Sequence, residues 1–283
     1  MKSRLQKLHR RVLGKAGQLF LVFSQMLYNR VSPGVRARRV DREHFFDACN
    51  DYFDKIFIIT LKRNLRRQDF VRKSLHGLKF EFVEGVDGQQ LTEAEKLRIY
   101  SYERNKKTWP NTLSNNEIAC SLSHAQLYTR IVNEEIKRCL IFEDDAYIET
   151  KRTMKALLQN LPENWDVVRL GFGIEYPLSY ILEPFESVIR LLMPSYRMAR
   201  VKTRRVAKYL RTAGGHSCTV AYGVTLEGAR KLLTSVYPIG TLPDNFLDIS
   251  SDGKLIESYH AVPRVFADAT ETLGSSIWEN LGN

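Results

Sequence analysis

The stretch CLIFEDDAYIE, residues 139–149, sets three consecutive acids, Glu143, Asp144 and Asp145, directly behind a short apolar run. Adjacent carboxylates repel one another, and none is stable against a core unless it is paired. A solvated turn would satisfy them, and so would a positive group held among them. The neighbouring sequence decides where in the fold the run sits.

On its amino-terminal side, SNNE (114–117) has the form of a helix capping box, with Ser114 as the cap and Glu117 reaching back. It opens a helical stretch, EIACSLSHAQLYTRIV. Further upstream, KIFIITL (55–61) is a β-rich apolar run, RRQDFVRKSL a polar helix, and FEFVEGVDG a strand that stops at a turn. TEAE (92–95) is a second capping box. Beyond the acids, WDVVRLG (165–171) and CTVAYGVT have the character of strands, the second followed by the helix LEGARKLLTSV. Strands separated by helices predict an α/β fold with a mainly parallel sheet flanked by helices. Ligands of such sheets bind beyond the carboxyl ends of the strands, and the acids follow the strand CLIF. Carboxylates so placed suit a hard divalent cation that completes its shell with water or phosphate oxygens. A cation there can bridge a diphosphate and offset charge on a leaving group.

The composition is that of a folded globular chain of 283 residues, 43% hydrophobic and 27% charged, without repeats. Its four cysteines lack metal-ligand spacing and are expected to be reduced. The formal charge of +11 is localised: residues 1–40 hold ten Lys or Arg and no acid, leaving 33 basic against 32 acidic residues elsewhere. A near-neutral body argues against general nucleic-acid binding. In the arm, Leu5, Leu8, Val12, Leu19, Phe20, Phe23, Leu27 and Val31 recur at helical spacing, with basic residues largely opposite. The expectation is a cationic amphipathic helix on a membrane surface, ended by SPG at 32–34, with the body from residue 41 onward. A helix packed on the body with solvated charges is the alternative.

Taken together, IFIITLKRNLRRQ, NNEIACSLSHAQLYTRIV, CLIFEDDAYIE, WDVVRLG, AYGVTLEGARKLL with PDNFL, and SSIW resemble glycosyltransferase family 25, in the family's order, over about residues 54–278. The resemblance implies a GT-A type fold, a UDP-sugar donor and inversion at the anomeric carbon, with Mn2+ or Mg2+ as cofactor. It makes Glu143-Asp144-Asp145 the family's metal-binding acidic motif. Glu143 and Asp145 are then metal ligands, and Asp144 a donor-side contact. Leu61, Arg63 and Arg67 match the nucleotide-binding start, whereas Thr60 stands for a usual Asn and Arg66 for a usual Asp. Asp87 and Gly88 match the next donor-side turn. Ala119 replaces a usual Gly inside a helix.

Glu117, Ser121, His124 and Tyr128 share one helix face. They would form either a capped, hydrogen-bonded helix or, on the family reading, a polar wall at the donor sugar, with Ser121 and His124 as contacts. Asp244 matches the family's late acid. It is the expected general base, with an N-cap as its structural alternative and Asp248 in reserve. His216 or His260 would complete a metal shell. Arg190 to Arg211, with eight Lys or Arg and no acid, is expected to meet phosphates of an anionic glycolipid acceptor. The resulting expectation is a hexosyltransferase, galactosyl by preference, extending a bacterial lipooligosaccharide at the cytoplasmic face of the inner membrane. A protein or capsule acceptor, or a non-catalytic surface-binding protein, are its rivals.

Overall fold

The computed structural model describes residues 42–108, 111–149, 154–172, 204–213 and 218–275. All belong to one compact unit, Arg39–Gly173 with Thr203–Asn283. The basic arm with its expected boundary at residue 41, His216, most of the basic stretch 190–211 and most of SSIW lie outside the described residues.

The chain runs through α1 (Arg42–Tyr52), β1 (Lys55–Thr60), α2 (Leu65–Ser74), β2 (Glu81–Glu84), α3 (Glu93–Ile99), α4 (Tyr102–Thr108), α5 (Asn115–Asn133), β3 (Arg138–Glu143), β4 (Ala146–Ile148) and α6 (Met154–Leu158). It continues with β5 (Val167–Gly171), the hairpin β6 (Arg205–Ala207) and β7 (Leu210–Thr212), β8 (Ala221–Thr225), α7 (Leu226–Leu233), α8 (Pro243–Asp252), β9 (Ser258–Ala261), β10 (Phe266–Asp268) and α9 (Thr270–Leu273). Both expected capping boxes form: the Thr92 and Ser114 side chains accept from the amides of Glu95 and Glu117, whose side chains reach back.

The fold is α/β, with one sheet in the order β2-β1-β3-β8-β5-β9-β7-β6. Pairing is mixed rather than mainly parallel. β2, β1 and β3 run parallel, as do β5 and β9, but β8 lies antiparallel between β3 and β5. β7 and β6 continue antiparallel at the far edge. The reason lies in burial. β3 and β8 are covered on both faces, so each is an apolar run, and such a run carries no record of strand direction.

Alternate residues feed two cores. Ile56, Ile58, Leu140 and Phe142 join Phe46 and Cys49 of α1 on one face, while Phe57, Cys139 and Ile141 meet Leu127, Leu232 and Leu247 on the other. Parallel register sets Ile59 opposite Glu143, so Thr60 and the three acids emerge side by side at the same strand ends. Because β8 runs the opposite way, pairing Phe142 with Ala221, residues 218–220 arrive at that same edge.

Candidate active site

The positive group among the acids is Arg67. From α2 its Nε donates to Asp144 Oδ1 at 2.6 Å and its Nη2 to Asp145 Oδ2 at 2.8 Å, while Nη1 binds the Gly274 carbonyl at 2.9 Å. Thr60 Oγ1 donates to the other oxygen of Asp144 at 2.7 Å. Asp144 and Asp145 are 6% and 4% exposed, and one planar guanidinium reaching both offsets the cost of that burial. Burial works against the charge of Arg67, but Asp145 and Asp144 outweigh it and raise its pKa.

The three acids differ in what remains available. Asp145 Oδ2 also accepts from Thr270 Oγ1 at 3.3 Å, but its Oδ1 is buried with no hydrogen-bond partner among the described residues. Burial and the adjacent Glu143 charge push Asp145 up to about 7, against the pull of Arg67. Glu143 behaves oppositely. Burial disfavours its charge, but His124, Thr219 and Arg67 outweigh that and hold its pKa below the usual range. Thr219 Oγ1 donates to Glu143 Oε1 at 2.6 Å, and His124 Nε2 stands 3.8 Å from the same oxygen.

Most of the expected donor-side residues converge. Thr60, Leu61, Arg67, Gly88, His124, Glu143 and Asp144 line one recess of about 80 Å³. It adjoins an open groove of about 590 Å³ bordered by Leu61, Arg63 and Asp87, and Leu61, Gly85 and Val86 line both. Arg63 is ion-paired with Asp87 across that groove. Gly88 is needed for packing: a Cβ there would fall 2.4 Å from Asn116 Oδ1 and 2.6 Å from Asn116 Cα, at the start of α5. Ser121 has a backbone role, its Oγ donating to the Glu117 and Thr241 carbonyls at 3.0 and 2.9 Å.

Asp244 is not an N-cap. Leu242 holds that position, Pro243 follows, and Asp244 lies in the first turn of α8. Its Oδ2 accepts from the Cys218 amide at 2.9 Å and its Oδ1 from the Asn245 amide at 2.8 Å. Consecutive residues thus hold the two acids, Cys218 taking Asp244 and Thr219 taking Glu143. Since adjacent Cα atoms are about 3.8 Å apart, this segment draws Asp244 toward the acidic cluster. Cys218 adopts φ +67, a left-handed conformation that non-glycine residues rarely accept. Burial raises the Asp244 pKa, the two amides lower it, and the Glu143 charge raises it further, for a net upward shift. The Cys120 thiol, on α5, feels Glu143, Asp244, Asp145 and Glu117 together after its own desolvation, and is raised well above its usual range.

The reserve candidates are placed differently. Asp248 pairs with Arg169 Nη2 at 2.7 Å, a guanidinium 1% exposed on β5 that also binds the Asp244 carbonyl at 3.0 Å. His260, fully buried on β9, is held at about 3 by burial and by the charges of Arg169 and Arg211, so it is a neutral imidazole. Among the described residues no three His, Cys, Asp or Glu side chains converge as a ready coordination shell. Glu143 and Asp145, with one oxygen lacking a partner, fit a cation that draws its remaining ligands from a diphosphate and water. Residues not foreseen are Thr219, Thr270, Arg169 and Tyr222, whose hydroxyl meets His124 Nδ1 at 2.8 Å. Only Arg169 left a signal, a lone charge inside the apolar WDVVRLG.

The fold and its matched residues place the chain among glycosyltransferases. It belongs to glycosyltransferase family 25 (LPS biosynthesis protein), whose model matches residues 53–247. Among curated relatives, procollagen galactosyltransferase 1-A of Xenopus laevis is 28% identical over 228 residues, covering 75% of this chain and 34% of that protein. The probable inactive glycosyltransferase 25 family member 3 of Bos taurus is 28% identical over 243 residues, covering 80% of this chain and 38% of that protein. This chain therefore spans little more than a third of their length. A solved glycosyltransferase involved in glycosylation of the major capsid of PBCV-1 is 10% identical with a TM-score of 0.37, over 80% of this chain and 95% of that one. At that level the likeness carries no argument about activity.

Proposed function

We propose that this chain is an inverting, metal-assisted hexosyltransferase that takes galactose from a UDP-sugar and delivers it to a lipooligosaccharide acceptor. The observation that carries this reading is the convergence of Thr60, Arg67, His124, Glu143 and Asp144 on one recess, with Asp244 tied to the same edge through Cys218. Asp145 and Glu143 would hold Mn2+ or Mg2+, which supplies charge compensation for the leaving diphosphate. Arg63, Asp87 and Leu61 border the groove in which the nucleotide would lie. A GT-A type fold follows from the same reading.

Inversion requires the acceptor oxygen to attack the anomeric carbon opposite the diphosphate while a base accepts its proton. Asp244 suits that role: its raised pKa makes it a stronger base than an ordinary carboxylate, and its two amide bonds fix its orientation. The bond from sugar to diphosphate breaks, the bond to the acceptor forms, and the proton passes to Asp244. The hairpin β6–β7 presents exposed Arg204 and Arg205 to phosphates of an anionic acceptor. In this proposal residues 1–40 form a membrane-surface arm and the domain begins near residue 41, giving a peripheral place at the inner membrane.

A second reading, transfer to a collagen-like protein acceptor, is favoured by the likeness to the procollagen galactosyltransferase of Xenopus laevis. Donor hydrolysis measured across UDP-sugars, with and without Mn2+, tests the common core of both. Metal-stimulated hydrolysis of UDP-galactose is expected, and hydrolysis of no sugar nucleotide would overturn it. Transfer assays with lipooligosaccharide core and with hydroxylysine peptide then separate the acceptors.

A further inference from the structure

A second concavity, apart from the nucleotide groove, opens between α4, α5, α8 and the segment 235–241, with a volume of about 330 Å³. That is within the range of small-molecule pockets, roughly 300–1,000 Å³. Its floor is apolar, built by Val236, Ile239, Phe246 and Leu255. Ile249 lines it while 39% exposed, an unusual position for a large aliphatic side chain unless it edges a binding surface.

The charges around it have one sign. Arg104 and Lys107 line the pocket, and no Asp or Glu does so among the described residues. Arg104 is fixed by the carbonyls of Pro238 and Ser235, at 2.7 and 2.6 Å, which orient its guanidinium without neutralising it. Neighbouring Lys106 pairs with Glu103, whereas Lys107 is exposed and has no ion pair among the described residues. Thr241, 8% exposed, also lines the pocket, and its hydroxyl has no hydrogen-bond partner among the described residues.

We infer that this pocket binds a small amphipathic anion: an apolar ring or chain over Ile239 and Phe246, with a carboxylate, sulfonate or phosphate at Lys107 and Arg104. A bare sugar would leave the apolar floor facing its hydroxyls, and a cation would meet two like charges. The back wall includes His124, which also lines the recess beside Glu143, so the occupied pocket adjoins the acidic cluster. The inference does not depend on what the nucleotide groove binds.

The test uses the full chain without nucleotide and two probes of like shape, anilinonaphthalene sulfonate and uncharged phenylnaphthylamine. Methyl NMR of Ile239 and Ile249 reports the site itself. The sulfonate is expected to shift both methyls with one-to-one saturation. Lys107→Glu should weaken the sulfonate about tenfold while leaving phenylnaphthylamine unchanged, and Ile249→Glu should weaken both. Circular dichroism of the two surface variants verifies that they fold. Unmoved Ile239 and Ile249 methyls, or a sulfonate affinity indifferent to Lys107→Glu, would overturn the inference.

Discussion

Two buried arginines meet acids in this molecule with different consequences. Arg67, on a polar helix, clamps adjacent Asp144 and Asp145, yet leaves Asp145 Oδ1 without a partner among the described residues and Glu143 half-buried at a recess. Arg169, in the middle of an apolar strand, is more deeply enclosed, and it ties α8 to the sheet through Asp248 and the Asp244 carbonyl. The same guanidinium–carboxylate chemistry gathers acids beside a recess in the first case and fixes helix placement in the second. What separates them is the recess that Arg67, Glu143 and Asp144 line.

That contrast can be broken most forcefully at Asp244, which belongs to α8 yet is tied to the recess. Asp244→Asn should lower acceptor transfer by roughly two to four orders of magnitude with donor affinity preserved, measured as turnover beside calorimetry. Near-normal turnover would return Asp244 to a purely structural role. In the wild type, transfer should fall on acidification above the ordinary carboxylate range, because the base must be ionised and its pKa is raised.

Next in size are the arginines themselves. Arg169→Leu strands the largely enclosed Asp248 carboxylate and the Asp244 carbonyl and should cost about 3–5 kcal/mol in urea unfolding. Arg67→Leu strands Asp144 and Asp145, which are more enclosed than Asp248, so it should cost at least as much stability and abolish donor binding as well. Donor binding lost equally in both variants would erase the distinction. His260, beside Arg169, adds a pH signature. Its folded pKa of about 3 lies below the unfolded value of about 6.5. The unfolded chain therefore binds the extra proton between those values, and stability falls as pH drops through that window, by up to about 1.4 kcal/mol per unit. His260→Asn should flatten the slope seen in urea titrations at successive pH values. Smallest is the cap of α5, where Ser114→Ala should lose about 1 kcal/mol and leave the recess functional.

Much of this was legible locally. Both capping boxes, β1, β3 and α5 follow from short-range patterns, while a shared site for Thr60, Arg67 and the acids was implied only by the family resemblance. α1 was not seen, because Phe45, Phe46 and Cys49 stand among polar residues without a sustained period, although all three are buried in the core. Strand direction in β8 was invisible for lack of alternation. The division of labour between the arginines was equally hidden: Arg67 sits in a basic run that looks solvated, and its acids lie 77 and 78 positions away. Pairing at such separation is settled by topology, which local sequence does not carry.

The central proposal is that the recess lined by Glu143 and Asp144, with Asp145 adjacent, binds a nucleotide diphosphate together with a divalent cation. Calorimetry of UDP with the wild type and with Asp145→Asn, each with and without Mn2+, tests it most directly. The account predicts Mn2+-dependent binding to the wild type and none to the variant, with both unfolding at similar urea concentrations. Equal UDP binding by the two proteins, or binding indifferent to Mn2+, would contradict it.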